Sequence, residues 1–200
     1  MGLSNWLFQR HERELSRATE LRKSAASNPK RADVAGLVDV LDGDPDPQAG
    51  RLALQGLTAV AAAYPERLRP VVPDLIVATS VEGPVPDHRG MAAEALATVV
   101  DAHPESVTQY VNAVDDSLHE EAAATGAVTV GVTFDERTID ALCRVLSAAD
   151  TDPARRSLRE LAAHEHPVVG DAAAQALSDT SDPANRTTAT LSDPAAGDDV

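Results

Sequence analysis

Aromatic side chains are scarce in this chain. Trp6, Phe8, Tyr64, Tyr110 and Phe134 are the five among 200 residues. A nucleic-acid groove built on stacked bases needs aromatic platforms and a clustered basic footprint, and the sequence offers neither in quantity. Lysine occurs only as Lys23 and Lys30, while the other 15 cations are arginines. Cysteine occurs once, as Cys143, so no disulfide can form within the chain and no cysteine pair can hold zinc. Cys143 lies between Leu142 and Leu146 in a helical apolar pattern, where a small buried hydrophobe is expected. No apolar run approaches the roughly 18 residues of a membrane span. The start, "MGLSNWLFQR", lacks the basic region and long apolar core of a signal peptide. A soluble, cytoplasmic protein is the expectation. The 11 glycines are scattered, which excludes a glycine-rich phosphate loop, and no Gly-x-Ser-x-Gly elbow is present.

Acid is abundant. Thirty-two Asp and Glu against 17 Lys and Arg give a formal charge of −15. Self-repulsion of that size opposes compaction at low ionic strength. In molar salt the Debye length falls to about 3 Å and the repulsion is screened. Acid excess, scarce lysine and abundant Asp and Ala resemble the proteins of halophiles that accumulate salt. The acidity then reflects the solvent and is no evidence for a basic partner. It is also uneven. Residues 1–35 hold seven cations and four anions, net +3, which leaves −18 for the rest.

A frame recurs along the chain. "LTAVAAAYPERLRPVVPDL" from Leu57 returns as "LATVVDAHPESVTQYVNAV" from Leu96, 39 residues later. Within each copy, apolar residues fall at spacings of three and four, the helical period. Leu54, Leu57, Ala61 and Tyr64 form one stripe; Leu68, Val71, Val72, Leu75 and Ile76 form the next. Ala92, Leu96, Val99 and His103 are followed by Val107, Val111, Val114 and Leu118. The frame recurs again with a shift of 32, which maps Val107, Val111 and Val114 onto Ile139, Cys143 and Leu146. Pro47, Pro65, Pro104, Pro153 and Pro167 each precede a periodic stretch, as suits the first helical position. Asp46 and Asp152 stand where N-caps are needed. Two helices per unit of 30–40 residues is the pattern of an α-solenoid, in which no unit buries its stripe alone. Val128, Val130, Val132 and Phe134 alternate like a strand, but the repeat frame predicts helix there. Residues 179–200 have no periodicity and read as a disordered acidic tail.

These features resemble HEAT repeats. The turn "DPDP" (Asp44–Pro47), the segment "HPVVGDAAAQAL" (His166–Leu177) and "DPARRSLREL" (Asp152–Leu161) look like HEAT-like repeats of the phycobilin-lyase type. Gly170 stands where that pattern has arginine. The resemblance implies an all-α solenoid of about five helix pairs over residues 1–178, with residues 1–28 as an N-terminal capping helix. It implies convex first helices and a concave face of second helices that binds proteins. Arg69, Asn112, Asp116, Asp140 and Arg144 are the candidate concave positions. Trp6 and Phe8, at the tip of the first helix, are the candidate anchor.

An enzyme is the competing class. HEAT-repeat deoxyhypusine hydroxylases hold two irons on His-Glu pairs at equivalent positions, and "LHEEAAATGAV" (Leu118–Val128) looks something like one such motif. Here His11-Glu12, His119-Glu120 and His164-Glu165 are not equivalent in the frame, so the iron site is not assembled. The expectation is a non-enzymatic scaffold or adaptor with a protein partner, without metal or cofactor and without direct nucleic-acid contact.

Overall fold

In the computed structural model the described residues are 3–43, 46–81, 83–84, 88–124 and 135–181, with side chains described from residue 11 to residue 180. Every regular element among them is helical. The nine α-helices are α1 (Leu3–Ser27), α2 (Val34–Asp42), α3 (Pro47–Ala63), α4 (Val72–Thr79), α5 (Arg89–Ala102), α6 (Val111–Ala124), α7 (Glu136–Ala149), α8 (Asp152–Leu161) and α9 (Pro167–Ser181). The alternating stretch Val128–Phe134 and residues 182–200 lie outside the described residues, while Asp179–Ser181, expected to open the tail, are the last residues of α9.

Burial explains the packing order. On α3, Ala49, Ala53, Leu54, Leu57, Val60 and Ala61 are buried; on α5, Ala92, Ala93, Ala95, Leu96, Ala97, Val99 and Val100 are. That is wider than the single stripe of a surface helix, so each needs partners on more than one side. Accordingly α3 lies between α1 and α5, and α5 lies between α3 and α7, while α7 packs in turn on α9. The even helices lie against this row: α2 on α3, α4 on α5, α6 on α7 and α8 on α9. They also touch along their own row, α4 with α6 and α6 with α8. Alanine on the odd helices lets axes approach. Gly56 carries this furthest, since a Cβ there would sit 2.8 Å from Leu37 Cδ2 on α2 and 3.5 Å from the Arg22 backbone of α1.

The recurring frame has a structural counterpart in one corner used three times. Asn28, Tyr64 and His103 end α1, α3 and α5 with φ/ψ of −147/72, −148/67 and −140/68. Each donates its N–H to the carbonyl four residues back, at 2.9, 2.7 and 2.8 Å. A proline follows each time, and the residue before proline is driven out of the α region. Pro29, Pro65 and Pro104 then open 3₁₀ turns.

Some local expectations change here. Pro65 and Pro104 begin 3₁₀ turns, and α4 and α6 start only at Val72 and Val111. Asp46 caps α3 through the Gln48 N–H, as expected. The cap of α8 is Thr151, which accepts from the Ala154 N–H, and Asp152 is already inside the helix. The shift of 32 aligns helices of different rows. Val111 and Val114 lie on α6, whereas Ile139, Cys143 and Leu146 lie on α7, which packs on α5 and α9. The match arises because both helices present an apolar stripe, although they serve opposite rows.

Candidate interaction surface

The corners gather at the edge where α3 and α5 end, and two open grooves lie there. One, of about 650 Å³, runs between the C-terminal ends of α5, α7 and α9; Asp101, Glu105, Arg144, Asp150, Asp179 and Thr180 are among its lining residues. The other, of about 590 Å³, is lined by Glu66, Arg69, Pro70, Pro73, Glu105, Ser106, Gln109 and Tyr110. Glu105 belongs to both. Helix C-termini carry partial negative charge, so they add to the carboxylates here.

Both arginines expected to meet a partner are engaged with the protein itself. Arg69 Nη2 lies 3.1 Å from Glu105 Oε1, linking two successive corners. Arg144 Nη2 pairs with Asp101, linking α7 to α5. Exposed pairs contribute little stability, but they do orient the side chains. Arg67 ties the first two corners, donating to the Pro29 and Ala32 carbonyls at 2.5 and 2.8 Å. Asn112 and Asp116 are exposed on α6, and Asp140 is exposed on α7. None of the three lines either groove. Asp140 and Arg144 therefore stand on the odd row with α5 and α9, rather than beside Asn112 and Asp116 as the sequence frame placed them. Trp6 and Phe8 belong to the first turns of α1. His11 Nδ1 lies 3.6 Å from Asp46 Oδ2, at the cap of α3, so the backbone of residues 3–10 runs on past the start of α3.

The opposite edge holds a buried polar junction that the sequence reading missed. Arg89 at the start of α5 donates from Nε to Glu121 Oε2 at 2.5 Å and from Nη2 to Oε1 at 2.8 Å. Glu121 is fully buried and the Arg89 side chain is 4% exposed. Glu121 Oε1 also accepts the Asp135 N–H at 2.6 Å. Asp135 in turn caps α7 through the Arg137 N–H. One carboxylate thus joins the start of α5, the last turn of α6 and the start of α7. A signal existed: Glu121 falls on the same helical face as Val114 and Leu118, seven and three residues earlier.

The chemistry candidates resolve into local roles. His119 Nδ1 lies 3.1 Å from Asp115 Oδ1, and Ser157 Oγ bonds the same oxygen. The carboxylate therefore stands between hydroxyl and imidazole. A nucleophilic triad needs the imidazole in the middle, so this order cannot activate Ser157. His164 Nδ1 accepts the His166 N–H at 3.1 Å, a turn contact. Among the described residues, no group of three or more His, Cys, Asp or Glu converges on a metal position. Cys143 is buried; burial first, and the neighbouring Asp140 carboxylate second, push its thiol up to about 12. Asp140 itself titrates above the usual carboxylate range, through partial burial and then the nearby Glu136, with Arg144 opposing. No helix among the described residues is long and apolar enough to cross a membrane. Comparison with family models, with curated proteins and with solved structures yields no match.

Proposed function

We propose that this chain is a non-enzymatic interaction scaffold, a HEAT-like α-solenoid that binds another protein along its surface. The observation that carries this reading is the use of its polar groups. Side chains that could serve chemistry instead tie neighbouring helices: Arg17 to Asp39, Arg69 to Glu105, Ser80 to Glu120, Arg89 to Glu121, Arg144 to Asp101 and Ser157 to Asp115. Such lacing orients polar side chains across the helix junctions, which favours binding by a preorganised surface. The broad open grooves at the corner edge suit a polypeptide contact better than an enclosed small substrate.

Binding would come from many small contacts on a curved stack, with rim charges choosing the partner. A direct test is affinity purification at high salt, followed by quantitative binding of the recovered partner to wild type and to charge reversals at Glu66 and Asp179. The reading expects weaker binding by those variants with unchanged circular dichroism. Stoichiometric iron or zinc in the purified protein would instead favour the enzyme class.

A further inference from the structure

We infer that His164 is a pH-sensitive latch at the entry to α9, closed while its imidazole is neutral and opened by a proton. The His166 N–H donates to His164 Nδ1 at 3.1 Å. A backbone N–H can only donate, so Nδ1 is the acceptor here and carries no proton. Imidazolium has two N–H groups and no acceptor, so protonation sets donor against donor. The Nδ1 atoms of His11, His103 and His119 each face a carboxylate oxygen instead, at 3.6, 3.7 and 3.1 Å. A proton at those sites adds attraction, whereas at His164 it breaks the contact. An imidazole free of other influences titrates at about pH 6.5, so mild acid is enough to work the latch.

The opened imidazole has a destination. His164 lines an open groove of about 650 Å³ between the ends of α6 and α8 and the start of α9. The other titratable groups of that groove are Glu160 from α8, and Glu165 and His166 from the connection to α9. From α6 come Ala122 and Ala123, and from α9 comes Pro167, none of which titrates. Glu160 and Glu165 are exposed, and their carboxylates attract an imidazolium that has left the His166 N–H. The backbone of the connection is held at His164 itself. Its N–H donates to the Leu161 carbonyl at 3.0 Å. Its carbonyl lies so close to α9 that a Cβ at Gly170 would sit 3.4 Å away. The ring therefore swings while the chain around it stays, which bares the His166 N–H and puts a positive charge in the groove. Shape and charge of this groove then depend on pH. Its use in choosing a partner rests on the scaffold reading, while the latch itself does not.

Hydrogen exchange at the His166 amide, corrected for its intrinsic rate, reads the latch on the chain alone. It is followed between roughly pH 8 and pH 5, a span that brackets the imidazole range. The salt is the lowest at which circular dichroism shows the wild type helical. Protection should fall by about fivefold on acidification, the equivalent of one hydrogen bond. His164→Asn should keep its protection throughout, because the amide carbonyl accepts where Nδ1 did and takes no proton. Glu160→Gln/Glu165→Gln should move the fall to lower pH, since the opened imidazolium loses its attraction. Circular dichroism checks that each variant has folded. The nitrogen shifts of the wild-type imidazole need no variant, and they should show Nδ1 unprotonated at the alkaline end. A protonated Nδ1 there, equal protection at both ends, or a His164→Asn that falls as the wild type does would each overturn the latch. A fall unmoved in the double glutamine variant would overturn the swing towards the carboxylates. No partner enters this experiment, so its failure leaves the scaffold reading standing. Equally, charge reversals at Glu66 and Asp179 that leave binding unchanged would leave the latch standing.

Discussion

Arg89 and Glu121 form a buried ion pair, and its removal should be strongly non-additive. Their side chains are 4% and 0% exposed, so neither group is hydrated once the other is gone. Breaking one side of such a pair typically costs about 3–5 kcal/mol, because the remaining charge is left without its partner. Arg89→Met and Glu121→Leu should each lose that much. Against the 5–15 kcal/mol that holds a typical domain, either change removes a large share. The double variant removes both charges together and should be far less damaging. A cost remains in it, since the Asp135 N–H loses its acceptor at 2.6 Å. An unsatisfied buried donor costs about 1–3 kcal/mol, so that is the expected loss in the double variant. The assay is urea unfolding at fixed KCl, since an ionic denaturant would change the screening. Hydrogen exchange at Asp135 gives a local readout, and it should accelerate in Glu121→Leu. If the two single losses simply sum in the double variant, to within about 0.5 kcal/mol, the residues do not act as a pair and the reasoning fails.

Other outcomes follow from particular contacts. Gly56→Val should destabilise by about 1–3 kcal/mol through overpacking, because the new side chain meets Leu37 Cδ2 and the α1 backbone; an unchanged urea midpoint would show that α1, α2 and α3 can separate freely. Asp46→Ala should cost about 1 kcal/mol by leaving the Gln48 N–H uncapped, and Asp46→Asn should restore most of it. Cys143 should resist thiol reagents at pH 9 in the folded state and react at once when unfolded. Its folded pKa lies above the unfolded value, so the associated stability is complete below pH 9 and fades as pH rises towards 12. Asp140→Asn should lower the thiol's pKa without returning it to the ordinary value, since burial is the larger cause.

Local rules made much of the helical architecture readable from the chain. Apolar residues at spacings of three and four predicted the buried stripes, and Leu54, Leu57, Leu96, Val114, Leu118, Ile139 and Leu158 are fully buried where the period put them. The 39-residue recurrence was legible because a proline fixes the backbone before it, so Tyr64 and His103 adopt almost the same dihedral angles. Caps were legible only to within a residue. Asp46 and Thr151 illustrate this, since a capping oxygen is chosen by backbone direction as well as by type. Periodicity also could not tell the two rows apart. α6 and α7 present similar apolar stripes, so the frame placed Asp140 and Arg144 with Asn112 and Asp116 although the helices lie in different rows.

Spacing along one helix is a property of the chain itself, fixed by the 3.6-residue period and by where proline and capping side chains fall. Which side chains meet across helices is not. Arg69 and Glu105 are 36 residues apart, and Arg89 and Glu121 are 32 apart. Only the packed structure brings them within bonding distance. The sequence alone determined that this chain makes successive helices with apolar faces. The tertiary structure decided that its exposed arginines lace neighbouring helices, and that a fully buried glutamate joins three of them, because such contacts depend on how the helices are set against one another.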